Sequence, residues 1–413
     1  MGEPRLRFKA DDGSEFPAWE EKTFWDVFAN LTNNTLSREC LNAESGQARN
    51  IHYGDVLVKY GVVVDVQRDG VPFVNPDVEC KRWDCLKNGD VVIADTAEDE
   101  TVGKAVEISN AGSDIVYSGL HTIACRPKEE FAPGYLGNYI NSMSYHDQLR
   151  PYMQGIKVAS VSKTNIGLTH LLVPSLPEQR KIADLLSAVD AVTAAQQAEV
   201  DAWEQRKKGV MQKLFSQEVR FKADDGSDFP AWEEKTLGEV CFINPRTDAL
   251  EDEFYYMDLG CVDRGMWEKP EVVSKKNAPN RAQRVAQIGD VFFQSVRPYN
   301  MGHYHYTNKM DKQVVASTGY IQARMKNGCN AFLYQMFYEE RFNVEVSMRC
   351  TGSNYPAITA NKFSEIVTPF PSLPEQRKIA DCLSSIDDVI AKAKAELAKW
   401  QELKKGLLQQ MFV

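Results

Sequence analysis

No apolar run among the 413 residues approaches the ~18–20 needed to cross a bilayer. The opening MGEPRLRFKADDGSEF has no apolar stretch that would make it a secretory signal. Leu6 stands where a myristoylation signal wants Ser or Thr. The nine cysteines are odd in number and include no C-x-x-C pair. Cys80 and Cys85 lie closest, and no His follows them at zinc-finger spacing, so reduced thiols in a cytosolic protein are expected.

Catalytic signatures are missing too. There is no G-x-S-x-G and no H-E-x-x-H, and Gly103-Lys104 lacks the earlier Gly and the following hydroxyl of a phosphate-binding loop. The Asn/Asp-Pro-Pro-Tyr/Phe string with which amino-methyltransferases hold their target nitrogen is absent. Pro76-Asp77-Val78-Glu79-Cys80-Lys81 is a poor match to a metal nuclease, whose carboxylates come from separate strand positions. His52, His121, His146 and His170 have no evident Ser or Cys partner. Catalysis by this chain is not expected. A net charge of −10 argues, as a whole-chain sum, against a nucleic-acid partner. Hydrophobic residues at 43% and aromatics at 10% suffice for real cores, and the length suggests two or three domains.

What is present is a duplication. PSLPEQRKIAD begins at Pro174 and again at Pro371, an offset of 197. FKADDGSEFPAWEEKT (8–23) recurs as FKADDGSDFPAWEEKT (221–236), an offset of 213, with Glu15 against Asp228 as the one change. The difference of 16 falls between the blocks, in variable segments of 150 residues (24–173) and 134 residues (237–370). A period this long marks a duplicated half-molecule, not a solenoid. Each PSLPEQRKIAD leads into a segment ending KKGVMQKLF or KKGLLQQMF, and the first then runs into FKADDGS. That order predicts pseudo-two-fold symmetry with neighbouring termini.

Ser175-Leu176-Pro177-Glu178 and Ser372-Leu373-Pro374-Glu375 read as S-x-x-E capping boxes with Pro in the first turn. Behind them Ile182, Leu186, Val189, Val192, Trp203 and Val210, and Ile379, Ile386, Val389, Trp400, Leu403 and Leu407, recur at helical spacing. Each stripe predicts a helix of about 38 residues, roughly 55 Å long, and the two are expected to pack as an antiparallel coiled coil. Glu178, Gln179, Arg180 and Lys181, with their copies Glu375, Gln376, Arg377 and Lys378, are unnecessary to a seam. They are read as exposed, docking one partner twice.

The variable segments look α+β. Gly-Asp precedes β-branched runs in 53–66, 88–95 and 288–296, and 119–124 and 319–323 also read as strands. Residues 134–143 and 330–342 read as short helices. The expected order is a first globular domain over 1–173, a helix over 174–215, a second domain over 216–370 and a helix over 371–413.

Charge divides unevenly. Residues 24–173 hold 13 basic and 19 acidic side chains, and 237–370 hold 15 of each. Within 264–326, however, eleven basic residues face four acidic ones, interleaved with Tyr299, His303, Tyr304, His305 and Tyr306. Such a surface neutralises phosphates and presents groups to base edges.

The two variable domains, each followed by a P-x-L-P-x-x-E-Q-type entry to a long helix, resemble the specificity subunit of type I restriction–modification systems. The resemblance covers essentially the whole chain, including Gly89-Asp90 and Gly289-Asp290. It implies that each variable domain is a target recognition domain reading half of a split, asymmetric sequence in double-stranded DNA, with the helices as a ruler. It further implies two methyltransferase subunits on the repeated regions and restriction subunits beside them. S-adenosylmethionine, ATP and magnesium would belong to those partners, with no cofactor or metal on this chain, no membrane and a cytoplasmic location. A coiled-coil scaffold that reads no DNA is the alternative, and a stand-alone methyltransferase or nuclease a weaker one.

By composition, DNA contacts in the first domain are expected from Lys59, Tyr60, Lys81, Arg82, Lys104 and His121, with Gln154 and Lys157 beside Gly155. In the second they are expected from Lys275, Lys276, Arg281, Arg284, Arg297, Tyr299, Asn300, His303 and Tyr304, and from Arg349, Ser353, Asn354 and Tyr355 around Gly352. Arg and Asn suit guanine and adenine edges, and lysines suit phosphate.

Overall fold

The computed structural model describes residues 4–412 apart from 81, 156, 157, 247 and 268. The repeated Gly-Asp pairs act as turn and anchor. Gly89 and Gly289 adopt positive φ, +85° and +94°, so that each chain reverses immediately before a buried strand, Val91–Ala94 or Val291–Gln294. The following Asp is buried and accepts the backbone N–H two residues before the glycine (Lys87 N to Asp90 and Gln287 N to Asp290, both 2.7 Å). An arginine from the neighbouring strand neutralises it: Arg126 Nε lies 2.9 Å from Asp90 and Arg324 Nε lies 2.6 Å from Asp290. Burying a carboxylate is tolerable only with such a partner.

Two compact units divide the chain. The first takes in Met1–Gln197 and Glu396–Val413, the second Ala198–Ala395. In the first, a five-stranded sheet runs in the order Phe28–Leu31, Thr122–Pro127, Val91–Ala94, Ala105–Ser109, Val63–Asp65. Beside it, a four-stranded sheet holds Val116–Ser118, Arg49–Ile51, Phe73–Val74 and Leu41–Asn42. In the second unit the sheets are Cys241–Ile243, Tyr320–Met325, Val291–Gln294, Tyr304–His305, and Val272–Ser274, Glu253–Met257, Gln313–Ser317, Ala282–Val285. The short helices expected over 134–143 and 330–342 occur as Tyr135–Ile140 and Asn330–Met336.

Residues 53–66 do not form one strand. Tyr53–Val58 is a helical turn, because His52 Nδ1 accepts the N–H of Gly54 at 3.1 Å and caps it, and only Val63–Asp65 is extended.

The long helices are Leu176–Phe215 and Leu373–Met411. They run antiparallel in each unit. In the first, Ile182, Ala183 and Leu186 share a core with Met411 and Phe412, and Lys404 reaches Asp190 at 2.6 Å. In the second, Met211 and Leu214 share a core with Ile379, Ala380 and Leu383, and Lys207 reaches Asp387 at 2.6 Å. Asp190 and Asp387, like Lys207 and Lys404, are 197 apart, so the two ion pairs are the same pair made twice. The stripe is not buried throughout: Val192, Val389 and Leu403 stand exposed. The termini are neighbours, since the Leu6 N–H donates to the Gln410 carbonyl at 3.0 Å.

The S-x-x-E strings are not capping boxes. Ser175 Oγ and Ser372 Oγ are buried without a hydrogen-bond partner, and the glutamates point elsewhere. Glu178 accepts from Arg7 Nε (3.0 Å) and Nη2 (2.8 Å) and from Trp19 Nε1 (3.1 Å). Glu375 accepts from Arg220 Nε (3.0 Å) and Nη2 (2.7 Å) and from Trp232 Nε1 (3.2 Å). The adjacent glutamines bridge backbone: Gln179 joins Ala132 N to the Pro174 carbonyl, and Gln376 joins Cys329 N to the Pro371 carbonyl. The expectation that Glu178, Gln179, Glu375 and Gln376 are exposed docking groups is therefore corrected. Glu178, Gln179, Glu375 and Gln376 are buried clamps at each helix start, the glutamates on the R-F-K-A-D-D-G-S block, while Arg180 and Arg377 are exposed. Real capping boxes occur at Thr23–Asp26 and Thr236–Glu239. They follow strands Glu20–Thr23 and Glu233–Thr236, which pair antiparallel with His170–Val173 and Val367–Phe370 just before the long helices.

Candidate nucleic-acid interface

Each unit carries a seven-residue hairpin at the same offset of 197. Gln154 bridges Ser160 in the first unit, and Thr351 bridges Ala357 in the second. Each is followed by a Ser or Thr, Ser162 or Thr359, that caps a short helix. Each opens on a glycine in the left-handed region, Gly155 at +116° and Gly352 at +98°. A Cβ on Gly155 would collide with the Val158 carbonyl, so the tight turn requires glycine. Both hairpins dock on the end of the strand that follows Gly-Asp: Val161 N donates to Asp95 O at 2.9 Å, and Ile358 N to Ser295 O at 3.0 Å.

In the second unit this docking organises an arginine. Arg297 has a left-handed backbone (φ +51°), an expensive conformation for a side-chain-bearing residue. Its N–H donates to the Pro356 carbonyl at 2.7 Å, and Val296 bridges Ala357. Its guanidinium carbon lies 4.2 Å from the ring centroid of Tyr355, and Nε is buried with no hydrogen-bond partner. Among the described residues no carboxylate forms a salt bridge with it. Tyr355 and Tyr299 are 64% and 61% exposed, and Asn300, Ser353 and Asn354 are exposed beside them in the chain. An uncommitted guanidinium held flat on an exposed aromatic can read a guanine edge or stack on a base.

The matching end of the first unit gathers different groups. His121, at φ +54° and exposed, lies 5.4 Å from the Tyr53 ring and 3.4 Å from Asp95 Oδ1 and Thr96 Oγ1. Its carbonyl accepts the Asp95 N–H at 3.1 Å, which ties it to the strand end where the 154–160 hairpin docks. Gln154 is exposed at the base of that hairpin, while Lys157 lies outside the described residues. Tyr53 and Thr96 were missed by composition. The shared offset of Gly155 and Gly352 was the signal that would have matched the two ends.

Several expected contacts are corrected. Tyr60 is buried, and burial pushes its hydroxyl well above the usual phenol range. Lys104 is half-buried, donates to the carbonyls of Leu57 (2.8 Å) and Tyr60 (3.3 Å), and is lowered by desolvation. His303 is fully buried, stacks on Phe293 with centroids 4.3 Å apart, and accepts the Gln294 N–H through Nδ1. Burial lowers its pKa to about 3, so it is a neutral core residue. Tyr304 is half-buried against Trp267, and Arg284 is half-buried with its guanidinium desolvated. Arg349 is paired with Glu345 one helical turn away.

The remaining expected residues are scattered. Lys59 is exposed and donates to the Gly70 carbonyl at 2.5 Å, and Lys275 donates to the Leu250 carbonyl at 3.0 Å. Arg82, Lys276 and Arg281 are exposed, as phosphate contacts require, and Lys81 lies outside the described residues. Among the described residues, no group of three His, Cys, Asp or Glu could hold a metal, and no helix is long and apolar enough to cross a membrane.

Residues 231–399 match the family model described as the type I restriction modification DNA specificity domain. The specificity subunit of type I restriction enzyme MjaVIII from Methanocaldococcus jannaschii is 25% identical over 276 residues, covering 63% of this chain and 65% of that protein. The putative MjaX specificity subunit of the same organism is 22% identical over 420 residues, covering 97% of this chain and 94% of that one. In fold, the chain is similar to the type I restriction–modification S subunit from M. genitalium. The TM-score is 0.59 at 15% identity, over 100% of this chain and 99% of that one. It is also similar, at TM-score 0.54 and 19% identity over 96% and 98%, to a chain solved in a study of assembly of the type I R-M system.

Proposed function

We infer that this chain is a type I restriction–modification specificity subunit, the non-catalytic DNA-reading part of such an enzyme, and reads a two-part target. Each unit would read one half through the hairpin end described above. The observation that carries this reading is the Arg297–Tyr355 pair: a half-buried guanidinium with no carboxylate, laid on an exposed tyrosine and fixed by strained backbone, at an end that the other unit builds from the same frame. Different side chains on equivalent scaffolds suit two different half-sites. The net charge of −10 is compatible with this division, because base readout needs few cations if partners carry much of the phosphate contact.

Two methyltransferase subunits would dock on the repeated regions, with restriction subunits beside them. S-adenosylmethionine, ATP and magnesium would belong to those partners, and a cytoplasmic location follows from the DNA substrate. With the glutamates and glutamines buried, the repeated surface open to a partner is narrower. It consists of Arg180 and Arg377, which are exposed, and the turns bearing Asp11 and Asp224, which hold Lys181 and Lys378 at 2.5 and 2.6 Å.

The test is selection of bound duplexes from a random pool by the complex with its methyltransferase. A split motif with a constant gap is expected, and exchanging 24–173 for another segment should change one half only. A soluble, stoichiometric complex that enriches no motif would overturn the reading in favour of a scaffold.

A further inference from the structure

The two units differ where their recognition folds meet the helix pair. In the second, the Lys207–Asp387 pair is covered by the unit's own side chains. Gln335 Nε2 donates to Asp387 at 2.8 Å, and the Tyr338 ring lies 5.7 Å from the Lys207 ammonium. The matching residues of the first unit, 197 positions earlier, are Asn138 and Asn141. Asn138 is one methylene shorter than glutamine and donates to the Gly134 carbonyl at 2.8 Å instead. Asn141 is turned onto Ala105, whose N–H and carbonyl it bonds at 3.0 and 2.7 Å. Neither covers the Lys404–Asp190 pair. What lies there is a cavity of about 1070 Å³ within the first unit, lined by Lys404, Asp190 and Asn138 and by apolar groups including Phe131 and Leu397.

The cavity offers a cation–carboxylate pair beside apolar walls. That combination fits an aromatic ring laid against the ammonium. Tyr338 supplies such a ring to the matching lysine of the other unit.

We propose that this cavity receives a tyrosine-bearing segment of the methyltransferase subunit docked on the first unit, in the place Tyr338 occupies in the second. The proposal rests on the specificity-subunit reading for its partner, but not for the cavity. It makes the two docking sites unequal: one copy gains an anchor that the other cannot have.

The test uses the full chain with p-cresol and N-acetyl-tyrosinamide as probes, followed by titration with the methyltransferase. Ala194→Trp on the cavity wall fills the space, and Ala391→Trp at the matched helix position is the control. Saturable binding of one p-cresol per chain is expected, weakened about tenfold or more by Ala194→Trp and unchanged by Ala391→Trp. Ala194→Trp should also weaken one of the two methyltransferase binding steps by about tenfold and leave the other alone. Absence of p-cresol binding, or binding indifferent to Ala194→Trp, overturns the site. If p-cresol binds as expected but both methyltransferase steps are unaltered in Ala194→Trp, the protein occupant is overturned. If the wild-type chain recruits no methyltransferase at all, the assembly reading falls and the protein occupant with it, while the p-cresol result still decides the site.

Discussion

Replacing Arg220 with Ala tests whether the repeated string is a structural clamp. Glu375 is fully buried and accepts three hydrogen bonds, two of them from Arg220. The substitution leaves a buried carboxylate with one indole donor. It also strips Arg220 from the Pro230 carbonyl, which it bonds at 2.6 Å. Breaking a buried pair from one side costs about 3–5 kcal/mol. The arginine is about a quarter exposed, so water screens part of this and the lower end is expected. For a unit of this size, each kcal/mol lowers Tm by roughly 2–4 °C, so the second unit's transition should fall by roughly 6–12 °C. Scanning calorimetry, with hydrogen exchange to assign each transition, reads the shift. The duplication supplies a control, because Arg7 makes the same bonds to Glu178 within 0.1 Å. Arg7→Ala should therefore shift the first unit by a similar amount. Adding Glu375→Leu to Arg220→Ala should recover part of the loss, since it removes the stranded charge. A shift below about 2 °C in either copy, or a double variant no better than the single, would refute the reasoning.

Arg297→Ala should weaken specific DNA binding by the assembled complex by about 1–3 kcal/mol and relax one base position, read by duplex selection; an unchanged motif and affinity would remove the assignment. His303 has its folded pKa lowered to about 3 by burial, against about 6.5 unfolded, so the unfolded chain binds the extra proton. The second unit should therefore be fully stable above pH 6.5 and lose roughly 1 kcal/mol per pH unit as pH falls below it; His303→Asn should lose less between pH 7 and 5 in urea titrations. Lys404→Met and Lys207→Met each leave a partly exposed aspartate, so each should cost about 1 kcal/mol, Lys207→Met the more because it also loses the Tyr338 ring, as thermal unfolding would show. Gly155→Val should displace the 154–160 hairpin and impair recognition of one half-site, which duplex selection would register as degeneracy in that half alone.

Features written in local periodicity or exact repetition could be read from the sequence. The long helices came from apolar spacing, and the Gly-Asp strands from a turn followed by a β-branched run. Contacts between distant residues could not be read this way. Glu178 looked solvated because charge beside a seam usually is, yet its partner Arg7 lies 171 residues earlier. Nothing local to S-L-P-E distinguishes a carboxylate reaching back to cap its own helix from one reaching an arginine in another block. Residues 53–58 misled for a related reason: Val56 and Val58 favoured a strand, but the His52 ring captured the Gly54 N–H and tipped the turn into a helix. Among the candidate DNA contacts, composition gave Arg297, Tyr355 and His303 equal weight, because a histidine between a glycine and a tyrosine looks the same in sequence whether it faces water or a phenylalanine.

The first unit's core contains Met411 and Phe412, while the second unit is one uninterrupted stretch, Ala198–Ala395. On the ribosome the order of completion is therefore inverted. The segment made first waits while 198 further residues are synthesised, roughly 10–40 s at ordinary elongation rates, before the strand of chain that seals its interior exists. Until then its Tyr135 and Tyr139, which end up packed on Phe412, have no lid. A frameshift or stop codon within the last 18 residues would thus spare the unit beside it in sequence and cripple the one at the other end of the message.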